Sequence, residues 1–240
     1  IVFVEFVIAL TYTGYFHFLI NSKEDDDTVL STMFWMMVGI GTLGGTALFI
    51  GAPFIAQIFD APELAPMLRW FGLLQPFASI IGWASAALNR GQLMRRYFMI
   101  LAASNIGGLI VGCVVLILWQ SLFALIVYRA MRIALGLVMF AMAVPSWPRL
   151  RFSTDMAKRA TRYAGGLYGS RMLNFFSQFG TDLVLAFLFS TAEAGLYRFA
   201  NRLAAATVDI IAQPLRSYAL NRFGHAARNE RPLDPIYARF

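Results

Sequence analysis

Long apolar runs separated by short polar connections make up most of this 240-residue chain. Each run is near the ~20 residues that an α-helix needs to cross the hydrocarbon core of a bilayer. Every backbone amide in hydrocarbon needs an internal hydrogen-bond partner, so helices are expected rather than isolated strands. The pattern therefore predicts an all-α, polytopic transmembrane helix bundle of about seven spans, at residues 1–20, 32–56, 66–89, 97–118, 122–145, 164–189 and 196–220.

The composition agrees with a membrane protein. Hydrophobic residues make up 59% of the chain and charged residues 14%, whereas soluble domains average roughly 45–50% and about 25%. The net charge of +7 does not indicate a nucleic-acid partner, because the basic residues form no single solvated stripe. Cys113 lies within an apolar run and is expected to be a buried core residue. No cofactor is expected, and no metal site, since His17 and His225 have no partners at metal-ligand spacing.

Lysine and arginine residues occupy alternate connections between the apolar runs. Thirteen fall in one set of connections, and none falls in the other set, at 57–65, 119–121 and 190–195. The positive-inside rule places the basic set in the cytoplasm. Two glycine pairs with a spacing of four residues, Gly41 with Gly45 and Gly108 with Gly112, predict close packing between neighbouring helices.

Several polar residues lie inside the later apolar runs, where a charged group costs roughly 2.5–3.5 kcal/mol on insertion scales. At about 100° per residue, those of span 164–189 fall within an arc of roughly 80°, and most of those of span 196–220 within roughly 60°. Each helix is therefore expected to carry one polar stripe. The residues are Arg129 and Arg132 in the first of these spans, Arg171, Asn174, Gln178 and Asp182 in the second, and Arg198, Asn201, Arg202 and Asp209 in the third.

Two interpretations of these intramembrane charges stay open. In the first, Arg171 with Asp182 and Arg202 with Asp209 are ion pairs that hold helices together. In the second, the stripes line an aqueous cavity that admits an anion, and the excess of five arginines over two aspartates favours it. Because the planar guanidinium donates paired hydrogen bonds to phosphate oxygens, we expect phosphate contacts from the most central arginines, namely Arg129, Arg132, Arg171 and Arg202.

Several short motifs resemble one membrane protein family. They are NFFSQFGTD at 174–182, AGLYRFANRL at 194–203, DAPEL at 60–64, NRGQL at 89–93 with RRY at 95–97, and PRLRFS at 148–153. In these segments the chain is similar to bacterial polysaccharide and lipopolysaccharide flippases, the oligosaccharide flippase branch of the multidrug/oligosaccharidyl-lipid/polysaccharide exporter superfamily. The likeness extends over nearly the whole chain.

The resemblance implies a two-lobed transporter of 12 to 14 helices, of which this chain matches helices two to eight. Residues 1–148 would form the N-terminal lobe without its first helix, 149–163 a basic cytoplasmic linker, and 164–240 the start of a truncated C-terminal lobe. A cavity between the lobes would hold the pyrophosphate of a lipid-linked oligosaccharide. The implied setting is the bacterial inner membrane, with membrane lipids and other polysaccharide assembly proteins as further partners.

By analogy with this family, the protein works by alternating access and is no enzyme. Arg198 and the amides of Asn174, Gln178 and Asn201 are further substrate-binding candidates, and Asp182 and Asp209 are candidates for binding a coupling proton or Na⁺. Two alternatives remain. A drug/cation antiporter of the same superfamily needs an acidic or apolar cavity. A membrane-embedded glycan polymerase or ligase needs acid/base residues on a sizeable outer loop.

Overall fold

The computed structural model is all-helical over the residues that it describes, which are 2–188 except 23–25, 122 and 145, together with 193, 195–208, 210, 212 and 215. This confirms the predicted all-α class. Residues 195–208 are helical, and six helices precede them: α1 (Val2–Asn21), α2 (Asp26–Ile58), α3 (Leu64–Arg90), α4 (Met94–Trp119), α5 (Phe123–Ala143) and α6 (Thr154–Leu188).

The first six predicted spans each fall on one of these helices. Four helices in the described part, α2 to α5, are long and apolar enough to cross a membrane. The predicted spans 1–20 and 164–189 fall on α1 and α6, while span 196–220 continues beyond the described residues. A helical membrane bundle is therefore established, and the number of seven spans stays a prediction.

Helix α6 begins ten residues before the predicted span, inside the segment predicted as a linker. Ser153 explains the start, because its hydroxyl accepts a hydrogen bond from the Met156 amide at 3.4 Å, and Asp155 places a carboxylate in the first turn. Both features stabilise a helix N-terminus. The hydropathy pattern did not detect this first part because a helix outside the hydrocarbon core need not be apolar.

The chain divides into two compact units, Ile1–Phe176 and Ser177–Phe240. In the first unit, α3 is central and contacts α1, α2, α4 and α5. In the apolar 18-residue stretch that qualifies each helix as a membrane span, 61% of α3 is buried, compared with 22–28% of α2, α4 and α5. The boundaries predicted for the lobes and the linker stay predictions.

The glycine pairs lie where helices touch. Gly41 faces Ser79 on α3, and a Cβ added at Gly108 would lie 2.9 Å from the Cβ of Arg132 on α5. At Gly112 it would lie 2.7 Å from the Cβ of Tyr128. No larger residue fits these positions without moving a helix, so the predicted packing role is confirmed for both pairs.

One end of the first unit, called the basic end here, gathers the described members of the predicted cytoplasmic set. Arg90, at the end of α3, donates to the carbonyl of Leu19 in the last turn of α1 and to that of Ser22 just after it, at 2.7 and 2.8 Å. Arg149 forms an ion pair of 3.1 Å with Asp27 at the start of α2. The basic end therefore carries the C-termini of α1, α3 and α5 and the N-termini of α2, α4 and α6.

The outer surface of α4 corrects one expectation. Cys113 is exposed, so the prediction of a buried core cysteine is wrong. Large apolar side chains around it, including Leu109, Ile110 and Ile117, are also exposed. In a membrane bundle an apolar helix presents one side to lipid, and apolar neighbours in sequence therefore do not imply burial in protein.

Candidate functional site

A cavity of about 350 Å³ lies within the first unit and is lined by residues of all five helices from α1 to α5. Small residues keep it open, because Ala78 and Gly82 of α3 leave space that larger side chains would fill. Its lining is unusually polar for the interior of an apolar bundle. The polar lining residues are Glu5, Gln75, Ser79, Ser85, Tyr97, Ser104, Arg129 and Arg132.

The two arginines of α5 enter this cavity together, as residues three apart on one helix face do. The Arg129 guanidinium is half-buried and lies 5.3 Å from the centre of the Phe71 ring, a cation–π distance. Arg132 is more exposed and lies near the Tyr97 phenol. The close contact of Gly108 with Arg132 fixes this part of α5 against α4.

Glu5 of α1 is the carboxylate of the cavity. It lines the same space and interacts electrostatically with Arg129. Sequence reasoning overlooked it, although the rule that singled out the intramembrane arginines also applies to a carboxylate within an apolar run. With two arginines and one glutamate, the charged lining residues carry one net positive charge. The cavity therefore favours an anionic group over an organic cation.

Gln75 of α3 is the second residue that sequence reasoning overlooked. Its side chain is 2% exposed, and its amide oxygen, Oε1, has no hydrogen-bond partner among the described residues. Leaving such a group unpaired costs about 1–3 kcal/mol. No sequence signal distinguishes this glutamine, because its lack of a partner depends on which helices surround it.

Helix geometry places three of these side chains at a similar height. Glu5, Gln75 and Arg129 lie roughly 14 to 16 residues from the basic ends of α1, α3 and α5, or about 21–24 Å at 1.5 Å per residue. This height is close to the middle of α3. A carboxylate, an amide and a guanidinium from three helices thus lie at a similar height in the wall of the cavity.

The predicted residues of α6 lie elsewhere. Arg171 is half-buried, and its Nη2 donates a hydrogen bond of 3.0 Å to Nε2 of His17 on α1. Asn174 and Gln178 are exposed. None of the three lines the cavity described above. Within the first unit, the structure therefore does not place Arg171 and Asn174 in the cavity of Arg129 and Arg132.

The second unit contains one of the predicted aspartates in an ion pair. The carboxylate of Asp182 is bound by Arg198 at 2.5 Å, and both side chains are largely buried. Arg198 also lies 5.1 Å from the centre of the Phe179 ring. The partner of Asp182 is thus Arg198, where the ion-pair interpretation expected Arg171.

The remaining predicted residues have different surroundings. Asn201 and Arg202 are exposed on the helical segment 195–208, and Asp209 lies outside the described residues. Among those residues, no cluster of three or more His, Cys, Asp or Glu side chains is arranged to hold a metal ion.

Comparisons with known proteins give a consistent result. The model of a family described as polysaccharide biosynthesis protein matches residues 1–240. The succinoglycan biosynthesis transport protein ExoT of Rhizobium meliloti is 25% identical over 226 residues, which cover 92% of this chain and 45% of ExoT. The lipopolysaccharide biosynthesis protein WzxC of Escherichia coli is 25% identical over 222 residues, which cover 82% of this chain and 42% of WzxC.

The chain thus spans a little under half the length of these two relatives. No solved structure matches it.

Proposed function

The chain belongs to the polysaccharide biosynthesis protein family, and from that premise we propose that it is part of a transporter for polyprenyl pyrophosphate-linked oligosaccharide repeat units. The transporter moves them across the bacterial inner membrane for lipopolysaccharide or exopolysaccharide assembly. The names of the two relatives, a transport protein and a lipopolysaccharide biosynthesis protein, support this class of function. Translocation of an intact lipid-linked sugar requires no covalent chemistry, so the protein acts as a transporter and not as an enzyme.

The observation that carries the proposal is the polar cavity around Arg129 and Arg132. A pyrophosphate loses most of its hydration when it enters a membrane, and fixed guanidinium groups replace that hydration with charge-assisted hydrogen bonds. Glu5 offsets one of the two charges, so the head group is attracted without being held too tightly for release. The lipid tail stays in the bilayer while the head group passes through the protein.

The other predicted residues are secondary candidates for contact with the substrate or for ion coupling. Arg171 and Arg198 already bind His17 and Asp182, so each must exchange a partner before it contacts substrate. Asn174, Gln178, Asn201 and Arg202 are exposed and need no such exchange. Asp182 and Asp209 stay candidates for ion coupling in alternating access.

The net positive lining argues against the drug/cation antiporter, whose substrate would be repelled by Arg129 and Arg132. The outer connections give no support to a membrane-embedded polymerase or ligase. In the predicted outer connections the carboxylates are Asp60 and Glu63 at 57–65 and Glu193 at 190–195, and the connection at 119–121 contains none. Such enzymes usually present their acid/base residues on a sizeable outer loop, and these connections are short.

Substitution of the α5 arginines tests the proposed function. In a strain that depends on this protein, Arg129→Ala and Arg132→Ala should each reduce export of lipid-linked glycan at least about tenfold, since a lost charge-assisted hydrogen bond costs about 1.5–3 kcal/mol. The readout is surface polysaccharide per unit of protein in the membrane. Arg95→Ala, which removes an exposed charge at the basic end, is the matched control. Normal export by both α5 variants would overturn the proposal.

A further inference from the structure

We infer that the connection between α5 and α6 binds an anionic phospholipid at the predicted cytoplasmic surface of the membrane. Residues 146–153 are called the α5–α6 connection below. None of them lines the polar cavity, so the inference is independent of the proposed function. The assignment gives the lipid phosphate to Arg149 and Arg151, and the upper part of the acyl chains to three apolar side chains, Trp147, Leu150 and Phe152.

The backbone of the α5–α6 connection is held against the first turns of α2. The Arg149 amide donates a hydrogen bond of 2.9 Å to Oγ of Ser31. The Ser153 amide donates one of 3.1 Å to Oγ1 of Thr32, and both hydroxyl-bearing residues are buried. The Trp35 indole adds a hydrogen bond of 3.3 Å to the Arg149 carbonyl. Because the backbone is fixed at these points, the same side chains stay on the outside of the connection.

Three large apolar side chains of the α5–α6 connection are exposed. Leu150 is 91% exposed, and Trp147 and Phe152 are 60% and 55% exposed. Water is an unfavourable neighbour for such side chains, and exposed apolar surface concentrated in one place is typical of a contact with a membrane or another protein. The connection therefore presents an apolar contact surface to an occupant outside the described residues.

The two neighbouring helices place the α5–α6 connection at the border of the hydrocarbon core. Helix α5 ends at Ala143, and the connection follows it directly. On α2 the connection contacts Ser31 and Thr32, where the predicted span 32–56 begins. Tryptophan and arginine side chains are favoured at this level of a membrane, because each combines an apolar part with a polar one. The occupant at this height is lipid.

The charges of this region favour an anionic lipid over a neutral one. Residues 146–163 contain five cationic side chains and one carboxylate, Asp155. Arg151 is exposed. Arg149 forms its ion pair of 3.1 Å with Asp27, but its side chain retains 63% exposure, and an ion pair so exposed is weak. Both guanidinium groups can therefore donate to phosphate oxygens, and anionic lipids of the cytoplasmic leaflet attract basic segments of this kind.

The test measures fluorescence quenching by lipids in the full-length protein as its host cell produces it, reconstituted in bilayers. A fluorophore on Leu150→Cys, in a Cys113→Ser background, reports lipid contact with the α5–α6 connection. The quenchers are phosphatidylglycerol and phosphatidylcholine that carry a nitroxide near the top of one acyl chain. The matched control places the fluorophore on Leu118→Cys, because Leu118 is 72% exposed in the last turn of α4, at the opposite end of the unit.

We expect phosphatidylglycerol to quench the label at position 150 more strongly than phosphatidylcholine does, and both lipids to quench the label at position 118 equally. Arg151→Gln should reduce the preference for phosphatidylglycerol at position 150 about fivefold, since one basic side chain near an anionic surface contributes roughly 1 kcal/mol. Arg69→Gln removes an exposed arginine near the start of α3, away from the basic end, and should leave the preference unchanged. Quenching at position 118 in the Arg151→Gln protein shows that this variant is inserted in the bilayer.

Three results would overturn the inference. The first is a label at position 150 that neither lipid quenches while the label at 118 is quenched, which would mean that the connection faces water or is covered by protein. The second is equal quenching at position 150 by both lipids, which would leave the arginines without a role. The third is a preference for phosphatidylglycerol that Arg151→Gln does not change, since the anionic lipid would then be bound by other cations.

Discussion

The arginines of α5 and those that follow α5 look alike in sequence and differ in their surroundings. Arg129 and Arg132 share a cavity with one carboxylate and an unpaired amide. Arg171, in contrast, donates to His17, and Arg198 forms an ion pair with Asp182 beside the Phe179 ring. An arginine inside an apolar run can therefore either line a polar cavity with other residues or bind one specific partner side chain.

This difference shows why a count of charges is a weak guide to a binding site. The excess of arginine over aspartate predicted an anion site along α5, α6 and the helix after it. In the structure, the α5 pair lines a cavity with excess positive charge, whereas Arg171 binds His17 and Arg198 binds Asp182. The partner of each charge, and not the number of charges, decides which of them is available to a ligand. The following experiments test this distinction.

The largest effect is expected from disrupting the support of the α5 arginines. Gly108→Leu places a side chain where even a Cβ would lie 2.9 Å from Arg132, so α4 must move away from α5. Overpacking of this kind costs about 1–3 kcal/mol and occasionally more. We expect a lower midpoint of thermal unfolding in detergent and a loss of pyrophosphate binding.

Gly39→Leu on α2 is the matched control, because nothing lies within 4 Å of a Cβ at that position. It should unfold at nearly the same temperature as the unmodified protein and should still bind pyrophosphate. If Gly108→Leu behaved like this control, the close α4–α5 contact would not be what positions Arg132.

A smaller effect is expected from separating the ion pair of the second unit. Asp182→Ala leaves Arg198 partly buried without its carboxylate, and because Arg198 retains 24% exposure we expect a loss of about 2 kcal/mol, less than the 3–5 kcal/mol for fully buried pairs. A double-mutant cycle with Arg198→Ala, measured by denaturant unfolding, should give a coupling energy above about 1 kcal/mol.

The same cycle with Arg202→Ala in place of Arg198→Ala supplies the control, since Arg202 is exposed and should show almost no coupling to Asp182. Equal coupling of Asp182 to both arginines, or coupling to neither, would contradict a specific ion pair between Asp182 and Arg198.

The smallest effect is expected at the contact between α1 and α6. Arginine only donates hydrogen bonds, so Nε2 of His17 is the acceptor in its bond with Arg171. His17→Ala removes this acceptor from a half-buried site and should lower the free energy of unfolding by about 1 kcal/mol. His17→Gln, which supplies an amide oxygen, should restore part of the loss. Identical stability of the alanine and glutamine variants would show that the hydrogen bond contributes nothing.

Much of the fold was accessible from the pattern of apolar residues. Helices α3 to α5 were predicted within three residues at each end, and α2 within six, because their length and composition are set by the thickness of the bilayer. The two glycine pairs were predictable as packing positions, because only small residues permit close helix approach. The first turns of α6 were not predicted, since hydropathy detects contact with lipid and not helicity.

The candidate site was predictable only in part. Arg129 and Arg132 were identified as costly intramembrane charges, and the same rule applied to Glu5 would have found it. Gln75 was beyond sequence reasoning, because an unpaired amide is a property of the groups around it.

The sequence by itself determined that this protein is a helical membrane protein of the polysaccharide biosynthesis family and that its interior contains arginine. The helical membrane class follows from hydropathy summed over neighbouring residues, and the family follows from short motifs along the chain. The tertiary structure decided which charges meet. Glu5, Gln75 and Arg129 lie far apart in sequence and share one cavity, while Asp182 binds Arg198. Helix packing makes that choice, because the spacing of polar residues fixes the face on which a charge lies but not the helix that the face contacts.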